Sequence, residues 1–192
     1  MDFKRYTKFY LVTPSFISAL VFSTATQAME LDRERYLYTL SLGGGSGEKG
    51  GVPNLLVFKN SPQTRSLSIG IERSVWSVRD NITVSGASYV HTVFRRNGSF
   101  VVTGINPLIN FHFFNDRLVF KIGLGAAVLS NKQVRSDVYQ GSYLNFLETA
   151  ELSLALHKQL SVFVRAQHAS NLGFTRNNPG WNMYSVGASF KF

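Results

Sequence analysis

Apolar residues recur at every second position along most of this chain, the period at which side chains share one face of a β-strand. The alternation is clearest in Leu118, Phe120, Ile122 and Leu124, with Lys121, Gly123 and Gly125 between them. It returns in Tyr184, Val186, Ala188, Phe190 and Phe192 against Ser185, Gly187, Ser189 and Lys191. The pattern predicts eight strands, over 35–43, 52–59, 66–76, 100–114, 117–129, 144–156, 160–170 and 182–192. Another apolar stretch, 82–94, alternates less cleanly and is assigned to a long loop or extended hairpin. Short turns at 60–65, 115–116 and 157–159 alternate with long polar segments at 44–51, 77–99, 130–143 and 171–181. One apolar face per strand, with short turns on one side and long loops on the other, implies an all-β fold: an eight-stranded antiparallel transmembrane β-barrel.

The chain ends and the composition strengthen that reading. Lys4, Arg5 and Lys8 precede a largely apolar run from Leu11 to Thr24, and Thr26-Gln27-Ala28 is a small-residue cleavage site. Residues 1–28 are therefore expected to be a signal peptide, leaving an outer-membrane β-barrel domain over 29–192. The apolar run is interrupted by Thr13, Pro14, Ser15 and Ser18, unlike a spanning helix of about 20 apolar residues. The chain has no cysteine, which excludes thiolate metal sites and cysteine nucleophiles. Aromatic residues reach 14% while charged residues are only 16%, a mixture suited to a barrel with lipid outside and aromatic belts at its interfaces. The terminal Phe192, with Phe190 and Tyr184 on its face, resembles the C-terminal signal of outer-membrane barrels. The formal net charge of +9 suits an anionic partner. With export and no nucleic-acid-binding motif, phosphorylated membrane lipid fits better than nucleic acid. The alternative fold is a soluble lipocalin-like barrel with an apolar inside.

Reactive side chains cluster near the end of the seventh expected strand, at the extracellular rim if the first strand runs outward. His168 and Ser170 share parity with Val162, Val164 and Ala166, so a base and a hydroxyl nucleophile end an apolar stripe. A serine near neutral pH needs that base, and the base needs a third group to fix its tautomer. Two candidates stand on either side. Asn182 opens the last strand with the same parity. If Leu156 opposes Leu160 around the short turn, Glu148 faces His168 from the other neighbour, as the one ionisable residue among Leu144, Phe146, Ala150, Leu152 and Leu154. A charge on a lipid-facing stripe is costly away from the interfaces. His91 and His112 have no assignable partner, and His157 sits at a turn. The glycine-rich 43–51 has neither the following helix nor the Lys-Ser/Thr pattern of a phosphate loop and reads as an extracellular loop.

His168-Ala169-Ser170-Asn171-Leu172-Gly173, Asn177-Asn178-Pro179-Gly180 and Tyr184-Ser185 together resemble the C-terminal active-site region of the PagL-type lipid A 3-O-deacylases. The resemblance is close over about the last 25 residues; earlier it rests on Gly50-Gly51-Val52 and Asn106-Pro107. It implies an enzyme, a carboxylic ester hydrolase of the bacterial cell outer membrane, removing the 3-hydroxyacyl chain at position 3 of lipid A. His168 then matches the base and Ser170 the nucleophile. Gly173 and Asn178 match oxyanion-hole positions, with Asn171 a further donor. Asn182 departs from the pattern, standing where a Glu completes the family's triad. Either Asn182 suffices, Glu148 substitutes, or activity has been lost. Arg176, and beyond it Arg95, Arg96, Lys132 and Arg135, are placed in loops to meet lipopolysaccharide phosphates. No metal and no cofactor is implied, and a homodimer is compatible with this reading. The rivals are a calcium-dependent outer-membrane phospholipase, for which no acidic cluster stands out, and a non-catalytic adhesin or structural barrel.

Overall fold

The computed structural model describes residues 36–46, 64–96, 98–135 and 138–191. Eight long strands close on themselves: β1 (Tyr36–Ser46), β2 (Thr64–Arg79), β3 (Ile82–Arg95), β4 (Gly98–Phe113), β5 (Leu118–Leu129), β8 (Leu144–His157), β9 (Leu160–Ser170) and β10 (Trp181–Lys191). Two short strands, β6 (Gln133–Arg135) and β7 (Val138–Tyr139), form a separate ribbon in the connection from β5 to β8. Every neighbouring pair is antiparallel, and β1 pairs with both β2 and β10 to shut the barrel. Closure leaves no unpaired edge, so the backbone satisfies its own hydrogen bonds where no water reaches.

The fold class is as the alternation predicts, but the membership of the eight differs. The stretch assigned to a long loop or extended hairpin, 82–94, is a full barrel strand, β3, joined to β2 by a tight turn at Asp80–Asn81 and paired along its whole length with β4. Its alternation is blurred because Tyr89 and Val93 point inward while Ser88 and Thr92 point outward. The expected long connection 77–99 is therefore a hairpin and part of a second one. Of the expected turn at 60–65, Thr64 and Arg65 already belong to β2; of the loop at 44–51, Gly44–Ser46 belong to β1. The expected signal peptide, 1–28, and the expected strand at 52–59 lie outside the described residues.

Large apolar side chains cover the outside: Leu42, Ile69, Ile105, Leu124, Val128, Val164 and Val186 are each more than half exposed. In water such a continuous band would be an association surface; in a bilayer it is the matched solvent. The inside is filled and chemically divided. At mid-height Lys121 Nζ donates to Glu72 Oε2 at 2.6 Å and pairs with Glu151 Oε1 at 3.1 Å. Arg165 Nε donates to Glu151 Oε2 at 2.6 Å, and its guanidinium lies over the Tyr89 ring at 4.5 Å. Two cations thus face two carboxylates, and the cluster is neutral. Towards the rim where β9 ends, Val93, Phe100, Leu129, Val134, Leu147 and Trp181 make an apolar plug. Asn106 ties the two zones to the strand beside the candidate site by donating from Nδ2 to Leu147 O at 3.1 Å and Thr149 Oγ1 at 2.8 Å. His91 and His112, partnerless in the sequence, bond Ser68 and Thr83.

Removing one member of the buried quartet leaves the others uncompensated. Glu151→Ala is expected to cost on the order of 3–5 kcal/mol. A urea titration of the barrel in lipid vesicles checks this, and an unchanged midpoint would show that water or rearrangement replaces the carboxylate.

Candidate active site

The register across β8, β9 and β10 sets three polar residues in one row. Glu148 pairs with His168, and His168 pairs with Asn182. All three lie on the outward face, where directly opposed residues have Cβ atoms about 4.5–5.5 Å apart. The pairing of Glu148 with His168 is the one expected from the short turn after Leu156. His168 Nδ1 and Asn182 Oδ1 are 2.6 Å apart. An amide oxygen only accepts, so Nδ1 carries the proton and Nε2 is left with its lone pair. Ser170 stands two positions along, on the same outward face and at the strand's end; it is 7% exposed, and its register partner on β8 is Phe146. Neither Ser170 Oγ nor His168 Nε2 has a hydrogen-bond partner among the described residues.

After Ser170 the chain enters a loop, 171–180, that folds back over the row. Leu172 and Gly173 have φ of 51° and 81°, in the left-handed region, where the non-glycine residue costs about 1–2 kcal/mol. Asn171 holds the turn. Its Oδ1 accepts from Gly173 N at 3.0 Å, and its Nδ2 donates to Thr175 Oγ1 at 2.7 Å and Asn177 O at 3.0 Å. The Asn171 N–H donates to Asn178 Oδ1 at 2.9 Å, which aims the Asn178 side chain. Of the expected oxyanion donors, then, Asn171 has its amide committed to the loop and the Gly173 N–H is engaged by it. The neighbouring loop, 130–143, braces this one: Gly141 N donates to Asn177 O at 2.9 Å, and Gln140 is fully buried beneath.

Sequence reasoning gave Gly180 no role, although a glycine directly before a strand is a turn signal. Its φ is +70°, and a Cβ there would lie 2.6 Å from His168 Cε1. The bare backbone of Gly180 is therefore the lid against which the imidazole rests. On the opposite flank Phe174, 79% exposed, packs on Phe146 with ring centroids 5.9 Å apart. Below the row the outward wall is hollowed. Ala150 and Ala166 are register partners directly beneath Glu148 and His168, and a groove of about 610 Å³ opens there between Leu152, Val164, Tyr184 and Val186. Of the expected phosphate ligands, Arg176 is exposed in the site loop, whereas Lys132 lies over the Tyr143 ring at 4.8 Å and Arg95 over the Phe100 ring at 5.5 Å. Among the described residues no group of three or more His, Asp or Glu is placed to hold a metal ion.

A family model described as lipid A 3-O-deacylase (PagL) matches residues 64–191, from β2 to the end of β10. The chain belongs to the PagL family of lipid A 3-O-deacylases. The barrel agrees: a crystal structure of the outer membrane enzyme PagL superimposes with a TM-score of 0.63 at 20% identity, covering 80% of this chain and 98% of that one. Ail, the attachment invasion locus protein of Yersinia pestis, gives 0.52 at 12% identity, covering 83% and 99%. A designed transmembrane β-barrel gives 0.50 at 10% identity, covering 85% and 100%. At these identities the likeness is one of fold. No curated protein sequence matches significantly. PagL-family membership and the closed barrel with its apolar outer surface make this an outer-membrane protein.

The lid contact has a direct structural consequence. Gly180→Ala is expected to push the imidazole aside and break the 2.6 Å bond to Asn182 while the barrel stays folded. A crystal structure of the variant, or loss of the hydrogen-bonded imidazole N–H signal by NMR, checks it; an unmoved ring would mean that the loop gives way instead.

Proposed function

We propose that the protein is a lipid A 3-O-deacylase that uses Ser170 as nucleophile and His168 as base, working at the outer-leaflet interface on the outside of the barrel. The observation that carries this is the 2.6 Å bond between His168 Nδ1 and Asn182 Oδ1 on the same outward face as Ser170, in a chain of this family. With the proton fixed on Nδ1, Nε2 accepts the Ser170 hydroxyl proton as Oγ attacks the ester carbonyl. The tetrahedral intermediate then expels the position-3 sugar oxygen, which takes the proton from Nε2. Water, deprotonated by the same nitrogen, attacks the acyl-serine and releases a 3-hydroxy fatty acid and the free serine. No metal enters this sequence of steps.

The remaining parts of the site fit the substrate. The groove below the row has the shape and polarity for an acyl chain running down the barrel wall, and Ala150 with Ala166 make room for it. Asn178, aimed by its bond to the Asn171 N–H, leaves its amide N–H groups for the developing oxyanion. The Gly173 N–H joins it once substrate displaces the Asn171 oxygen. Arg176, exposed on the loop above the nucleophile, meets a lipid A phosphate.

Mass spectrometry of lipid A incubated with the refolded protein tests the reading. Wild type should remove one 3-hydroxyacyl chain from position 3, and Ser170→Ala or His168→Ala should slow this by roughly 10³-fold or more with the barrel intact. Unchanged lipid A with folded wild type, or full activity in Ser170→Ala, would overturn it.

A further inference from the structure

The base of this site is held by an amide, and an amide orients an imidazole without answering its charge. When Nε2 takes the serine proton, His168 becomes an imidazolium in a low-dielectric interface, and Asn182 offers it only a dipole. A carboxylate stands on the other side. Across all strands, Glu148 is the only acidic residue on the outward face among the described residues. Its outward neighbours are Leu124 on β5, Phe146 and Ala150 along its own strand, and His168 on β9. Three of the four are apolar, and the imidazole is the one polar side chain directly opposite the carboxylate, with Ser170 on the diagonal. A lipid-facing carboxylate so placed costs free energy that none of the apolar neighbours repays.

We propose that Glu148 supplies the negative charge that stabilises the His168 imidazolium, so that the two duties usually joined in one triad carboxylate are divided here between strands. Asn182 on β10 fixes the tautomer, and Glu148 on β8 answers the charge. Glu148 touches neither substrate nor reacting atoms in this scheme; it is a positioning residue acting through His168, and its role rests on the Ser170–His168 reading above. Both carboxylate and imidazole lie at the height two positions inside the end of β9, near the rim. The division follows from the sheet: flanking strands offer the outward face of His168 two partners at the same height, and each takes one task.

The test compares wild type with Glu148→Gln, Asn182→Glu and the double variant Glu148→Gln/Asn182→Glu, each refolded and assayed on purified lipid A by mass spectrometry. Glu148→Gln should lower kcat roughly 10- to 100-fold, as expected for removing an opposite charge about 4–6 Å from the base, with KM little changed. Placing the carboxylate at 182 should make position 148 irrelevant, so the double variant should recover at least the wild-type kcat. That rescue separates charge from packing, since a structural defect at 148 would survive a change at 182. Full activity in Glu148→Gln, or a double variant as slow as the single one, overturns the proposal and leaves the Ser170–His168 reading standing. Activity in Asn182→Glu with none in wild type overturns it too, because Glu148 then supplies nothing. If neither wild type nor Asn182→Glu cleaves lipid A, both readings fall.

Discussion

Closure of the antiparallel ladder is the constraint on which the rest of this structure depends. In a bilayer each strand must find both its neighbours, and once β1 has paired with β10 no strand can slip by one residue without turning its apolar side inward. The same rule that keeps Leu40, Ile69 and Val186 in lipid holds Glu148, His168 and Asn182 at one height on one face. The row of polar groups is thus a by-product of register, and its precision comes from ladder hydrogen bonds rather than from contacts among the side chains themselves.

The filled interior makes that precision rigid. The quartet of Glu72, Lys121, Glu151 and Arg165 joins strands across the lumen, and Asn106 reaches from β4 to β8. Buried ion pairs are poor sources of net stability, but each partner removed exposes the rest to an apolar medium, so the arrangement penalises any local opening. Above it the plug of Val93, Phe100, Leu129 and Trp181 supports Ala169, the inward neighbour of His168 and Ser170. The site loop is less economical. It keeps Leu172 in a left-handed backbone conformation and relies on Asn171 and the neighbouring loop to hold it there.

Much of this was legible in the residue pattern, because period-two alternation, chain-end signals and turn length all report on the same barrel. The pairing of Glu148 with His168 was legible because the β8–β9 turn is short enough to fix the register. The third strand was not, since its inward Tyr89 and Val93 and outward Ser88 and Thr92 weaken the contrast on which periodicity depends. Gly180 was equally hidden as a site residue: its contribution is the absence of a side chain beside His168, and only coordinates show what an added carbon would strike. The engagement of the Gly173 N–H by Asn171 depends on loop geometry that spacing does not encode.

The outward placing of the row carries a consequence for traffic. Ser170 stands on the wall of the barrel that faces the leaflet and not on the lumen side, so a lipid that reaches it arrives sideways, by diffusion in the plane of the leaflet. The concentration that governs encounter is then a number of molecules per unit area, and what the site meets varies with the packing of the lipids around the barrel rather than with the volume of solution above it.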